Sequence, residues 1–242
     1  MKYLRAILFL LLLFVIVTLY SNFLKGSKSN LEIKAQPNSR LKETRSFIIN
    51  IFAWRRLASL KRLCKSLLKA NFHNYNVEVI FHVDGDAAKS VKNYIKDFTW
   101  PFGSKSMKIR STRVGIVGNI MDSWDAAYDN EYAIFLEDDV EVSPFFFSWL
   151  LMNLGYYRPD LLGISLYTPR LNEIHIPAEP WTPDNIVTDN QFLLQLPCSW
   201  GALYFPQEWR KFRRYFNLRK DFPPSELVKN SGSNRWERSW KK

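Results

Sequence analysis

The sequence predicts an α/β fold, and three observations predict it. Apolar runs of buried-strand length recur along the chain, at Ser46–Ala53, Val77–Asp86 and Tyr132–Leu136. Between them, apolar residues return at helical spacing. The run at Tyr132 leads straight into three consecutive acids, Glu137, Asp138 and Asp139. With 242 residues, 47% of them hydrophobic, the chain can build one sizeable domain with a real core and further segments besides.

Ahead of that domain lies a mostly apolar run, Ala6–Leu24. As a helix it would span ~28 Å at ~1.5 Å per residue, close to a ~30 Å hydrocarbon core. Lys2 and Arg5 precede it, and Lys25 and Lys28 follow, so flanking charge discriminates weakly between orientations. The small-residue cleavage pattern of a signal peptide does not follow. The expectation is a cytosolic tail over 1–5, a transmembrane signal anchor over 6–24, a polar stem over 25–45 and a folded domain over 46–242. That makes a single-pass type II membrane protein with its bulk in the lumen of the Golgi or endoplasmic reticulum. An N-x-S/T sequon is lacking, so glycosylation does not corroborate this topology.

A formal net charge of +11 invites a nucleic-acid reading. Its distribution argues against one. Residues 1–45 carry 8 basic and 2 acidic groups, residues 205–242 carry 11 and 4, and the stretch between them carries 15 and 17. The body is slightly acidic, and the basic ends suit anionic lipid headgroups instead. Two cysteines, Cys64 and Cys198, make neither a disulfide scaffold nor a zinc site. Two buried free thiols are expected, with one disulfide as the alternative in an oxidising lumen.

In the domain, SFIINIFA (46–53) reads as a first buried strand. Leu57, Leu60, Leu63, Cys64, Leu67 and Leu68 then form one face of an amphipathic helix, with Arg and Lys between them. The second strand ends in Asp84-Gly85-Asp86, ahead of a helical pattern at Val91, Tyr94, Ile95 and Phe98. His82 within that strand reads as a packed histidine. Met107–Arg110 is a short strand. Gly115 and Gly118 permit close backbone approach, but their spacing fits neither a P-loop nor a dinucleotide fingerprint. Ile120, Trp124, Ala127 and Tyr128 read as a helix face. After Pro144, the stretch Phe145–Tyr157 reads as an aromatic helix with Phe145, Phe146, Phe147 and Trp149 in the core. Leu162–Tyr167, Gln191–Leu196 and Ala202–Phe205 are further strand candidates, and Thr168–Asp189 is a long Pro-containing loop that could border an acceptor site.

The acids carry the chemistry. Three neighbouring carboxylates raise each other's pKa and oppose folding unless a cation relieves them. Hard divalent cations do so, and Mg²⁺ typically uses one or two carboxylates together with substrate phosphates. Open α/β sheets bind ligands beyond the carboxyl ends of their strands, which is where these acids fall. A solvated acidic turn is the alternative.

The segment EDDVEVSPFFFSWL resembles the metal-binding segment of GT-A-type glycosyltransferases, in particular N-acetylglucosaminyltransferase I and glycosyltransferase family 2-like membrane proteins. Scattered similarity extends over about Ser46–Tyr215. The resemblance implies a GT-A-like three-layer α/β/α sandwich with a mixed sheet. It implies Mn²⁺ or Mg²⁺ on Asp139, with Glu137 and Asp138 facing sugar and ribose. Arg55 stands where the family contacts the diphosphate, Asp84 where it contacts the nucleoside, and Trp200 of the Trp-Gly pair near the donor sugar. Relatives continue past the point where this chain stops, so the domain is expected to be truncated at its C-terminal end. An inverting transfer needs a carboxylate base, for which Glu237 in RWERSW is the candidate and Glu226 the second.

The expected activity is therefore metal-dependent, inverting transfer of a sugar from a nucleotide-sugar donor, with a uridine diphosphate sugar favoured, to a glycan, lipid or protein acceptor. Two rivals stay open. One is a non-catalytic glycosyltransferase-like membrane protein that binds sugar or a partner. The other is a basic membrane-anchored interaction protein.

Overall fold

A strand flanked by helices on both faces must be apolar on both sides, and that is what the runs at Ser46 and Val77 provide. The computed structural model describes residues 45–167, 171–172, 179–180 and 200–219, all within one unit, Asn38–Lys242. The expected anchor and stem, Gln191–Leu196, Cys198, Glu226 and Glu237 lie outside the described residues, as does most of Thr168–Asp189.

The strands are β1 (Ser46–Ala53), β2 (Val77–Val83), β3 (Lys105–Ile109), β4 (Glu131–Glu137), β5 (Gly163–Ser165), β6 (Leu171–Asn172), β7 (Glu179–Pro180) and β8 (Ala202–Tyr204). The helices are α1 (Leu57–Leu67), α2 (Lys89–Asp97), α3 (Gly115–Met121), α4 (Phe146–Asn153) and α5 (Pro206–Arg219), with a 3-10 turn at Leu154–Tyr156. Six strands form one mixed sheet in the order β3-β2-β1-β4-β8-β5, and β6 pairs with β7. β3, β2, β1 and β4 are mutually parallel, while β8 runs antiparallel to both β4 and β5.

Alternation along β1 and β4 sorts the two faces. Phe47, Ile49, Ile51, Ile134 and Leu136 join a core with Leu60, Leu63, Cys64 and Leu67 of α1, Val91 and Ile95 of α2, and Phe147 and Leu150 of α4. Phe52, Ala133 and Phe135 face the other way, against Trp124, Tyr204 and Trp209, with Ile120 of α3 and Phe212 of α5 at the margin. The result is a three-layer α/β/α arrangement. Burial pushes the free Cys64 thiol up to about 11, so it serves as a small apolar side chain. His82 is buried as expected. Its Nε2 lies 2.8 Å from Asn50 Oδ1, and burial foremost, with Lys108 and Arg110, lowers its pKa to about 3.

The connections place the site. From β1 through α1 to β2, and through α2 to β3, the chain steps outward in one direction. It then returns through α3, on the opposite face, to lay β4 on the other side of β1. Right-handed crossovers demand that change of face when the direction reverses. The gap between the carboxyl ends of β1 and β4 is thus a topological switch point, where open sheets receive ligands.

Three sequence expectations need correction. The helix expected through Ile120–Tyr128 ends at Met121, and Ala126 has a positive φ of 51°. Trp124 is buried by stacking on Trp209, so its spacing recorded burial rather than a helical turn. Phe145 and Trp149 are not core: they are 71% and 43% exposed on the outer side of α4, while Phe146 and Phe147 are buried. Gly115 makes no close approach, since a Cβ there would meet nothing within 4 Å. Its φ of +71° is what favours glycine; Gly118 is close-packed as expected, a Cβ there lying 3.1 Å from Val114 Cβ, and Gly85 is tighter still, a Cβ there lying 2.3 Å from Thr112 backbone. Among the described residues, no helix is long and apolar enough to cross a membrane.

Candidate functional site

The carboxyl ends of β1, β2 and β4 lie level. Phe52 is in register with both His82 and Glu137. Trp54, Arg55 and Arg56 therefore leave β1 beside Asp84 and Asp86 after β2, and beside Asp138 and Asp139 after β4. Ala202 of β8 is in register with Phe135. Gly201, just ahead of that strand, lies against Leu136, a Cβ there lying 3.5 Å from Leu136 Cδ2, so the adjoining Trp200 comes to the same end of the sheet. Six of the eight residues singled out from sequence thus share one sheet edge: Arg55, Asp84, Glu137, Asp138, Asp139 and Trp200. Glu226 and Glu237 fall outside the described residues.

The acids are not equivalent. Asp138 is 1% exposed and is held from two directions. Trp54 N–H donates to its Oδ2 at 3.3 Å, while Arg56 Nε and Nη2 reach its Oδ1 at 2.8 and 2.5 Å. Arg56 Nη1 donates to Asp139 Oδ2, and the Asp139 side chain is 39% exposed. One guanidinium bridges two carboxylates. Burial opposes its charge, yet Asp138 first, then Asp139 and Glu137, hold its pKa above the ordinary value. Asp138 is shifted upward by burial, against the pull of Arg56. Glu137 is pushed up to about 7, by burial first and by the nearby Asp139 next. Three acids and one arginine leave this edge short of positive charge. Arg56 was not singled out from sequence, where Arg55 took the role. Both leave the same strand end, and once the strand stops, alternation no longer says which side chain turns inward.

Arg55 points elsewhere. Its Nη2 pairs with Asp86 Oδ2 at 2.9 Å, and its guanidinium carbon lies 4.4 Å from the centre of the Trp54 ring. Arg113 approaches the same ring at 4.3 Å, and the indole N–H donates to Asp86 Oδ1 at 2.6 Å. This puts an aromatic ring with two arginines against it at the rim of the switch point. Trp200 is 42% exposed and sits edge-on to Tyr167, with ring centres 4.8 Å apart.

Asp84 is 5% exposed, and its carboxylate is taken up by backbone. Gly85 N–H and Val114 N–H donate to Oδ1 at 2.9 and 2.8 Å, and Gly115 N–H donates to Oδ2 at 3.0 Å. It ties the end of β2 to the loop that opens α3.

Of the two carboxylates that share the Arg56 guanidinium, Asp139 is the one exposed to solvent. Among the described residues, no three His, Cys, Asp or Glu side chains converge so as to hold a metal ion. Asp138 is buried and its oxygens are engaged, so Asp139 is the available ligand. Asp138 and Asp139 already share a cationic group, the Arg56 guanidinium, so the position suits positive charge. One carboxylate completed by phosphate oxygens and water is the donor set that Mg²⁺ favours.

A protein family described as the SPBC1E8.03c C-terminal domain matches residues 53–224. The chain belongs to that family. The matched span holds Arg55, Arg56, Asp84, the three acids and Trp200, and it ends before Glu226. A search of curated proteins found no match. Among solved structures, a mannosyltransferase, PcManGT from Pyrobaculum calidifontis in complex with GDP-Man and Mn²⁺, shares 8% identity over 51% of this chain and 36% of that one, with a TM-score of 0.42. TarS 1–349 from S. aureus shares 11% identity over 79% and 54%, with a TM-score of 0.40. Glucosyl-3-phosphoglycerate synthase from Mycobacterium tuberculosis, with Mn²⁺, uridine diphosphate and glucosyl-3-phosphoglycerate, shares 17% over 50% and 43%, with a TM-score of 0.37. The chain spans from about a third to about half of those structures' lengths.

Proposed function

We propose that this chain is a GT-A-type glycosyltransferase. It takes a sugar from a nucleotide-sugar donor, favoured as a uridine diphosphate sugar, and passes it with inversion to a glycan, lipid or protein acceptor. The observation that carries the reading is the placement of Asp138 and Asp139. They follow β4 at the switch point, and they already share one cation between them. The sequence resemblance of EDDVEVSPFFFSWL to the metal-binding segment of these enzymes supports the same reading.

Asp139 would hold Mn²⁺ or Mg²⁺, which when bound offsets the charge of the departing diphosphate. Asp138 fixes Arg56 at the same edge, where its guanidinium would meet the diphosphate. Arg55 and Arg113, both against the Trp54 ring, add positive charge at the rim. Trp200 presents an exposed ring on which a sugar can stack. Glu237, with Glu226 as second candidate, supplies the carboxylate that takes the acceptor proton. The apolar run Ala6–Leu24 anchors the chain as a type II membrane protein of the Golgi or endoplasmic reticulum, with this domain in the lumen.

The test is release of nucleoside diphosphate from a panel of nucleotide sugars and acceptors, with Mn²⁺ and after chelation. Metal-dependent release with at least one donor supports transfer. Tight donor binding without release would assign the chain to the non-catalytic alternative, and neither binding nor release would overturn the reading.

A further inference from the structure

The three nitrogens of Arg56 are divided unevenly. Nε and Nη2 hold buried Asp138 at 2.8 and 2.5 Å, and Trp54 N–H fixes the second oxygen of that carboxylate at 3.3 Å. This half of the arrangement is anchored on a carboxylate side chain only 2% exposed. Nη1, on the outer side, holds Asp139, whose side chain is exposed to solvent. Among the described residues, Asp139 has this one charged hydrogen-bond partner.

Asp139 is also the carboxylate assigned above to the divalent cation, and the inference rests on that assignment. Nη1 engages only one oxygen of Asp139; a cation arriving alone displaces it or takes the other oxygen, and either way sits beside a guanidinium that Asp138 keeps in place. Like charges a few Å apart at a partly desolvated edge repel strongly. An anion reaching both groups reverses the balance, because its oxygens satisfy the freed Nη1 and the cation together. A diphosphate has the charge and the reach to do so.

We propose that Arg56 is an exchangeable counter-ion that couples the two ligands. With the site empty it neutralises Asp139. It yields that carboxylate to a divalent cation when a diphosphate is present to take over its outer nitrogen. Cation and nucleoside diphosphate therefore bind with positive cooperativity, and each weakly alone. Linkage makes the coupling reciprocal.

The experiment is titration of Mn²⁺ into the full-length chain, followed by electron paramagnetic resonance, with and without saturating uridine diphosphate. Association of Mn²⁺ with the free nucleotide is subtracted. The unaltered protein is compared with Arg56→Gln, Arg56→Lys and Asp139→Asn, each first shown to melt cooperatively. The unaltered protein is expected to gain at least ~10-fold in Mn²⁺ affinity from the nucleotide. Arg56→Gln is expected to bind Mn²⁺ alone ~10-fold tighter than the unaltered protein and to lose most of the gain. Arg56→Lys, which keeps the charge, is expected to stay weak alone. If Arg56→Gln does not fold, the nucleotide gain in the unaltered protein and its change in Arg56→Lys decide the matter. Absence of a gain in the unaltered protein overturns the coupling, as does an Arg56→Gln affinity for Mn²⁺ alone no tighter than that of the unaltered protein. In either case, loss of Mn²⁺ binding in Asp139→Asn would leave the cation assignment intact. Equal Mn²⁺ binding in Asp139→Asn and the unaltered protein would overturn the assignment itself, and the coupling with it.

Discussion

Asp84 and Asp139 both follow a parallel strand at the same edge of the sheet, yet they are held in opposite ways. Asp84 is buried, and three backbone amides, those of Gly85, Val114 and Gly115, donate to it. Backbone donors fixed by a turn and a helix start cannot be traded for a ligand. Asp139 is partly exposed and is met by a side chain that has a second carboxylate to hold. A side chain can be shared or exchanged at modest cost. The difference teaches that position at a strand end does not by itself make an acid a ligand. What matters is whether its partners are replaceable.

The comparison can be broken in graded steps. The scale is set by a side chain away from both acids, Phe135, which meets Phe52, Tyr204, Trp124 and Trp209 with ring centres 5.0 to 6.3 Å apart. Phe135→Ala is expected to cost ~3–5 kcal/mol in chemical denaturation, through the cavity it opens. Asp84→Ala should follow at ~2–4 kcal/mol, because it strands backbone amides that a charged acceptor had satisfied. If Asp84→Ala were near-neutral in stability and lost donor binding instead, the contrast between the two acids would fail.

His82, two residues before Asp84, provides the pH-dependent step. Its pKa falls from about 6.5 unfolded to about 3 in the folded protein. Between those values the unfolded chain binds the extra proton, so stability is full above pH ~6.5 and declines as pH falls toward 3, by at most ~1.4 kcal/mol per pH unit from this group. Denaturation midpoints of the protein and of His82→Gln at pH 7, 6 and 5 test this. The slope attributable to His82 should vanish in the variant, and an unchanged slope would place its origin elsewhere. The smallest change in stability is expected for Arg55→Gln, whose partner Asp86 is exposed. Its melting midpoint should stay within ~3 °C, while uridine diphosphate affinity weakens if the guanidinium contributes to the rim.

Much of the scaffold was legible because burial on both faces leaves a plain trace. SFIINIFA and VEVIFHV read as strands, the Leu/Cys stripe of α1 reads as a helix, and the acids visibly follow the apolar run of β4. The parts that were not legible depend on three-dimensional partners. Nothing in the residue types of Val114 and Gly115 shows that their amides belong to Asp84. Trp124 and Tyr128 carried helical spacing into a segment that Ala126 turns with a positive φ. Arg55 and Arg56 differ by one position, and only the path of the chain after Ala53 gives Arg56 to the acids and Arg55 to Asp86.

The most direct measurement of the central claim is the affinity for uridine diphosphate, by calorimetry, of the unaltered protein and Asp139→Asn. Each is titrated with Mn²⁺ and after chelation, alongside its melting midpoint. The account predicts tight binding by the unaltered protein only with Mn²⁺. It predicts an Asp139→Asn protein that melts normally and binds, even with Mn²⁺, no better than the chelated unaltered protein. Any transfer rate should then fall by at least ~10³. An Asp139→Asn protein that is destabilised but binds the nucleotide with undiminished, metal-dependent affinity would contradict it, and would make Asp139 a structural acid like Asp84.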